Sequence, residues 1–412
     1  MVKENTMKQT EIGLIPEHWL LKNIGSIAKV SGRVGWKGYT KKDLVLLGPY
    51  AIGAKHINKN NKLDLSDPTC LSNEKYIESP EIFVFKDDLL IVQRGTIGKL
   101  VLIEENIGEA TINPSMLIIR TKKDSSKFLY YYLLSKEGQN QISKDVSSTG
   151  VPMITQFQVN GFQIPLPPLP EQEAIAEALS DADACIESLE QLIAKKRLIK
   201  QGAMQELLSP KEDWEVKKLG DFLVNVVDNR GKTPPNSPDG EHHLIETASV
   251  SFVDKNVDYS KVTKYVSDQT YQQWFRKHPH KGDLLVSTVG EYSGASALYY
   301  LNKGTIAQNL VAIRLDPKMI QPDYLLYWSK SLFYSVQLKK VMMHQAQPSL
   351  KVPWLLNFEI SFPTSLTEQT RIATILSDMD VELEALEGQL GKARKVKQGM
   401  MQELLTGRVR LV

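Results

Sequence analysis

Three groups of residues in this chain have types and spacings that chemistry uses, and each lacks a component. Gly231-Lys232-Thr233 ends like a phosphate-binding loop, in which backbone N–H groups and a lysine cradle phosphates. The glycine required five residues before Gly231 is Val226. Asn113-Pro114-Ser115 opens like the motif that holds an amino group for methyl transfer, but its second proline and its aromatic are missing. The chain also has no Phe-x-Gly-x-Gly for a methyl donor. His242-His243 and His278-Pro279-His280 offer imidazoles without a supporting Cys or carboxylate at ligand spacing, and read as surface-loop histidines. The sequence therefore predicts no catalytic residue, no metal and no cofactor on this chain.

What remains are loops that mix Arg or Lys with glycine, hydroxyl and amide groups. Arginine pairs with guanine edges, glutamine with adenine, and lysine with phosphate. The segment Ser31 to Tyr39 offers Arg33, Lys37 and Tyr39. Gln93 to Lys99 offers Arg94, Thr96 and Lys99, and Thr149 precedes a last strand. In the second half, Asn229 to Thr233 offers Arg230, Lys232 and Thr233, and His344 to Gln347 offers Gln345 and Gln347. Each loop also reads as an ordinary solvated turn; in a DNA-binding chain these residues would be the candidate contacts.

The elements that must position these loops begin with one stretch, Glu171 to Leu208. Its apolar positions Ile175, Leu179, Ala182, Ile186, Leu189 and Ile193 are spaced 4, 3, 4, 3, 4, the pattern of a coiled-coil seam. The stretch recurs without a gap at Glu368 to Leu405, an offset of 197 (368 − 171), with Ile372, Leu376, Met379, Leu383, Leu386 and Leu390 in the seam. A repeat of this length marks an internal duplication. The segments between are duplicated with drift. Trp214 follows Trp19 at 195, and Asp283-Leu-Leu follows Asp88-Leu-Leu at 195. Strands are predicted at Ile82–Phe85, Asp88–Val92 and Met116–Arg120, and a helix near Phe128–Leu134. The proline-rich run Ile164 to Pro170 reads as a stiff extended lead-in that cannot continue a sheet.

The organisation is module, helix, module, helix: 1–165, 166–210, 211–360 and 361–412. The predicted class is α/β of the α+β kind. Two globular domains are joined by two long antiparallel coiled-coil helices in a pseudo-two-fold internal repeat. A helix of that length, roughly 57 Å at about 1.5 Å per residue, would hold the modules at opposite ends of a dumbbell. Helices kept alike predict one repeated partner surface, and modules allowed to diverge predict two targets.

Composition agrees with this reading. The 412 residues are 42% hydrophobic and 24% charged, and the two cysteines provide no disulfide framework. No apolar run is long enough to span a membrane and no apolar signal core opens the chain, so a cytoplasmic protein is expected. The net charge of +2 is spread unevenly. Residues 1–165 carry 21 basic and 17 acidic side chains, whereas 171–210 carry 4 and 8. Mildly basic modules suit a polyanion, although many proteins that bind none look the same.

Taken together, Pro-Leu-Pro-Pro-Leu-Pro-Glu-Gln at 165–172, Leu-Ser-Asp-x-Asp at 179–183 and Lys-Gln-Gly-x-Met-Gln-Glu-Leu-Leu at 200–208 resemble the specificity subunit of type I restriction-modification systems. Their counterparts at Glu368-Gln369, Leu376–Asp380 and Lys397–Leu405 extend the resemblance over essentially the whole chain. The second lead-in departs from the pattern, with Thr364-Ser365 in place of prolines. The resemblance implies a subunit without catalytic activity. Each of its two target-recognition domains would read one half of a bipartite site in double-stranded DNA. Its helices would set the spacer and dock two methyltransferase subunits, and restriction (translocase and nuclease) subunits would join. S-adenosylmethionine and ATP would belong to those partners. Met204, Leu207, Leu208, Met401, Leu404 and Leu405, lying past the seam, are expected at the methyltransferase surface. Two other readings are a coiled-coil scaffold that binds protein, and the specificity half of a fused modification enzyme.

Overall fold

The computed structural model describes residues 6–33, 38–144, 152–229, 231, 233–343 and 348–411. The chain divides into two compact units, Met1–Glu190 with Gly388–Val412, and Gln191–Glu387. Both long helices contribute to each.

The first unit is built on a four-stranded antiparallel sheet. Its order is β4 (Ala28–Ser31), β10 (Met116–Thr121), β7 (Leu89–Val92) and β8 (Leu100–Leu102). All four residues of β7 are buried, because both faces of the sheet are covered. Alternation along the strands sorts their side chains into two cores. Leu89, Ile91, Leu117 and Ile119 pack with helix α1 (Ser126–Leu134) and with Ile175 and Leu179 of the long helix α2 (Leu169–Leu207). Leu90, Val92, Met116 and Ile118 pack against the second sheet. That sheet has the order β6 (Cys70–Leu71), β5 (Leu44–Ile52) and β9 (Ala110–Ile112). The aromatic run Tyr130, Tyr131 and Tyr132 is buried in α1. A hairpin, β1 (Met7–Thr10) with β2 (Gly13–Pro16), opens the chain, and β3 (Leu20–Asn23) pairs with β11 (Gln163–Leu166).

The second unit repeats this plan. Its main sheet has the order β13 (Leu223–Asp228), β19 (Leu310–Leu315), β16 (Leu284–Ser287) and β17 (Ser296–Leu298). Its second sheet is β15 (Tyr265–Val266), β14 (His242–Ile245) and β18 (Thr305–Ile306). Strand β12 (Glu215–Lys218) pairs with β20 (Glu359–Phe362). Helix α3 (Asp268–Trp274) follows β15, α4 (Pro322–Ser329) replaces α1, and α5 (Leu366–Leu404) is the second long helix. A carboxylate clamp is repeated too. Buried Asp88 accepts two hydrogen bonds from Arg120, both at 2.7 Å, and buried Asp283 accepts two from Arg314 at 2.9 and 2.8 Å.

Within each unit the long helices run antiparallel. In the first, Lys397 meets Asp183 at 2.5 Å and Arg394 meets Glu190 at 2.6 Å. In the second, Lys200 meets Asp380 and Lys196 meets Glu382. The acidic first half of one helix faces the basic last half of the other. The more exposed of these pairs each add little to stability, roughly 0–1 kcal/mol.

Four expectations need correction. Ile82–Phe85 is not a strand: Pro80–Ile82 forms a 3-10 turn, led by the proline, and only Phe83 makes a bridge, to Thr111. Pro165 does sit in a strand, opposite Leu21, which is possible because a two-stranded ribbon leaves one edge without ladder bonds. The seam is only partly a helix–helix seam, since Ile175, Leu179, Ile372 and Leu376 belong to module cores. The histidines are not all in surface loops: His242 stacks on Tyr271 at 3.9 Å between ring centroids, and Tyr271 stacks on His278 at 3.6 Å. Among the described residues, no group of three or more His, Cys, Asp and Glu could hold a metal ion. Nor is any helix long and apolar enough to cross a membrane.

Candidate nucleic-acid interface

In the first module, the strand ends bring the candidate loops to one place. Backbone bonds from Gln93 N to Ser115 O (2.8 Å) and from Ile154 N to Gln93 O (2.9 Å) set the loop after β7 between the β9–β10 turn and the last strand lead-in. Arg94 and Thr96 are exposed at its tip, and Gly95 turns it with φ +90°. The Arg33 guanidinium donates to Ile112 O at 3.3 Å and lies 6.0 Å from the Tyr39 ring centroid. Burial pulls the Arg33 pKa below its ordinary value. Lys99 turns inward, donating to Ile57 O at 3.2 Å, so it is half-buried beside the loop it was expected to arm. Lys37 and Thr149 lie outside the described residues.

The second module repeats the frame. Thr288 N donates to Asn309 O (2.8 Å), Leu350 N to Thr288 O (2.8 Å), and Gly290 N to Pro348 O (3.0 Å), as Gly95 N does to Pro152 O (3.3 Å). Gly290, with φ +91°, is the partner of Gly95. The loop Thr288 to Gly294 is therefore the counterpart of Gln93 to Lys99, and it presents exposed Glu291 and Tyr292. Reasoning from composition missed it, because it holds no Arg or Lys. The offset of 195 from Asp88 to Asp283, carried five residues further, lands on it. Thr233 is exposed, while Arg230, Lys232, Gln345 and Gln347 lie outside the described residues.

The repeated motifs of the long helices are accounted for within each unit. Tyr131 Oη donates to Asp183 at 2.9 Å, and Lys397 pairs with the other oxygen of that carboxylate. In the second unit Tyr327 donates to Asp380 at 2.7 Å, and Lys200 completes the same triad. The amides of Gln172 and Gln369 act as parallel brackets. Each accepts from the backbone at the start of α1 or α4 (Ser125 N, 2.9 Å; Gln321 N, 2.7 Å) and donates to the lead-in carbonyl of Pro167 or Pro363.

The residues expected at the methyltransferase surface have packing roles within the modules. Leu404 and Leu405 are buried in the first core with Trp19, and Met401 packs against it. Leu208 is buried in the second core with Trp214, and Met204 and Leu207 pack against it. These side chains follow the seam because they continue into a module core, where burying each large apolar side chain contributes about 1.5–3 kcal/mol.

Comparison with known proteins fits this duplicated architecture. The family model for the type I restriction modification DNA specificity domain matches residues 16–195 and again 211–392. The chain belongs to that family and carries the domain twice. It is 24% identical to the type I restriction enzyme MjaVIII specificity subunit of Methanocaldococcus jannaschii, over 99% of this chain and 97% of that one. Against the EcoBI specificity subunit of Escherichia coli the identity is 23%, over 97% and 87%. The fold is that of the type I restriction-modification S subunit from M. genitalium (TM-score 0.58, 17% identity, 94% and 96% covered).

Proposed function

We propose that this chain is the sequence-reading, non-catalytic subunit of a type I restriction-modification complex. Each module reads one half of a bipartite site in double-stranded DNA. Two methyltransferase subunits dock on the long helices, restriction subunits join them, and S-adenosylmethionine and ATP are bound by those partners. The observation that carries the reading is the repeated loop frame, which presents Arg94 and Thr96 in one module and Glu291 and Tyr292 in the other. An arginine donor and a carboxylate acceptor suit different base edges, as expected of two readers with different targets. Docking is supported by apolar side chains that the helices leave exposed: Leu198 and Ile199 in the second unit and Val396 in the first.

The test is to map methylated positions in DNA from a host expressing this chain with its cognate methyltransferase subunit. A split motif, two defined halves around an undefined spacer, is the expected result, and exchanging residues 211–360 changes one half only. Methylation of one continuous short site would refute the two-reader arrangement. No methylation, from a partner active with another specificity subunit, would refute the DNA-reading function.

A further inference from the structure

We propose that Leu46 and Leu47 are specificity-determining residues of the first module, making apolar contact with thymine methyl groups in the major groove of its half-site. The inference rests on the DNA-reading function proposed above. The two side chains are 96% and 91% exposed, side by side on one tip.

The tip is built rather than loose. In the β5–β6 pair, Cys70 faces both Val45 and Tyr50, so Leu46, Leu47, Gly48 and Pro49 bulge from the ladder. Gly48 closes the bulge against β6, where a Cβ would lie 2.3 Å from Leu71 O. On the other side a capping box fixes the entry: Thr40 N donates to Asp43 at 2.6 Å, and Lys42 N to the Thr40 hydroxyl at 3.3 Å.

The second module has a turn, closed by Gly240 N to Ser237 O at 2.9 Å, ahead of the matching strand, with different chemistry. Gly240 presses on Val266 O, at 2.5 Å for an added Cβ, as Gly48 does on Leu71 O. The residues ahead of it are Pro238 and Asp239, both exposed. The frame keeps the glycine and varies the two residues it displays, as the loops at Gly95 and Gly290 do.

Three features point to DNA as the occupant. The tip follows Arg33 and Tyr39 closely in the chain. Exposed Lys41 and Lys42 stand at its base, and the carboxylate beside them, Asp43, is engaged by Thr40. The leucines carry no hydrogen-bonding atom, and the apolar group that base edges display in the major groove is the thymine methyl.

The experiment uses the full chain with its methyltransferase subunit, comparing wild type with a Leu46→Ser plus Leu47→Ser variant. Both side chains are exposed, so the variant should melt as wild type does. The methylation motif is mapped for each, and binding is measured on the cognate duplex with the thymines of the first half-site replaced by deoxyuridine. Wild type should lose roughly fourfold or more in affinity for each contacted methyl removed. The variant should bind both duplexes equally and should relax an A·T position in that half alone. A first half-site without thymine, a wild type indifferent to deoxyuridine, or an unchanged variant motif would overturn the proposal while leaving the DNA-reading function standing. Loss of methyltransferase co-purification with the motif intact would overturn it in favour of a protein contact at the tip. Absence of a split motif from the wild-type chain would overturn the underlying function and this proposal with it.

Discussion

The two units solve the same joint in different ways. In the second, the end of α2 runs through Leu208 and Pro210 straight into Trp214, so the peptide chain ties helix to module. In the first, the end of α5 reaches the module around Trp19 without any such continuity. A polar network stands there instead. Buried Glu171 accepts from Trp19 Nε1 at 3.3 Å and from Arg410 at 2.9 and 3.1 Å, and Gly407, at φ +69°, lies against Pro16 and Trp19. Glu368, at the position matching Glu171, pairs with Arg371 one turn away. The difference teaches that the buried network in the first unit does work that a covalent link does in the second.

The sharpest way to break this comparison is to charge the non-covalent joint. Leu404→Asp with Leu405→Asp buries two carboxylates beside Trp19 and should cost well over 5 kcal/mol, enough to unfold the first unit. Limited proteolysis should then cut within residues 1–165. Survival of that region would show that the tail is dispensable. A smaller effect is expected from removing one partner of the network. Arg410→Ala leaves Glu171 buried beside Trp19 and His18, whose Nε2 is 3.5 Å away, and should cost about 2–3 kcal/mol in urea unfolding. Arg371→Ala breaks an exposed pair and should cost under about 0.5 kcal/mol. Equal losses would mean that the Glu171 network adds nothing beyond an ordinary surface pair.

The loops proposed to read DNA differ in chemistry rather than architecture, and there substitutions should move specificity and leave stability unchanged. Arg94→Ala should relax the half-site of the first module and Glu291→Gln that of the second, each by about 1–3 kcal/mol of discrimination at one base pair. Methylation mapping checks both. A change in the wrong half would reverse the assignment of loops to targets.

The duplication, the long helices and the central strands were legible in the sequence because they depend on periodicity and on residues fixed at a constant offset. Less was legible where a residue's role depends on a distant partner. Leu404 and Leu405 read as a docking patch because their spacing places them past the seam, and nothing local shows that Trp19 waits for them. Asp183 and Lys397 stand in recognisable motifs, yet their meeting with Tyr131 follows only from the antiparallel pairing. Lys99 looked like a phosphate contact until the fold supplied the Ile57 carbonyl. The Glu291 loop was hidden by a search for positive charge, although its glycine turn lay at the expected offset.

A modest, pH-dependent effect is expected at one core position at which the units differ. Tyr131 and Tyr327 occupy equivalent places in the two triads, so Leu134 in the first unit matches Lys330 in the second (offset 196). Lys330 donates to Ser251 O at 2.7 Å and to Ser296 O, at the edge of a cleft of about 850 Å³ that is also lined by Phe252, Val253 and Leu332. Burial lowers its pKa from 10.5 to about 7, opposed by nearby Asp254 and assisted by Lys200. The folded pKa lies below the unfolded one, so the unfolded state binds more protons between about pH 7 and 10.5, and stability rises with pH across that window. Below pH 7 the cost of burying the charge is fully present. Between pH 7 and 8 the second unit should therefore gain about 1 kcal/mol, a slope set by one titrating group. Lys330→Leu, which installs the first unit's residue, should flatten that slope. The measurement is the urea midpoint of the second unit at the two pH values for both proteins. An unchanged slope in the variant would mean that the Lys330 amine titrates in water like any surface lysine. The two carbonyls would then be holding it at the rim of the cleft, not inside the fold.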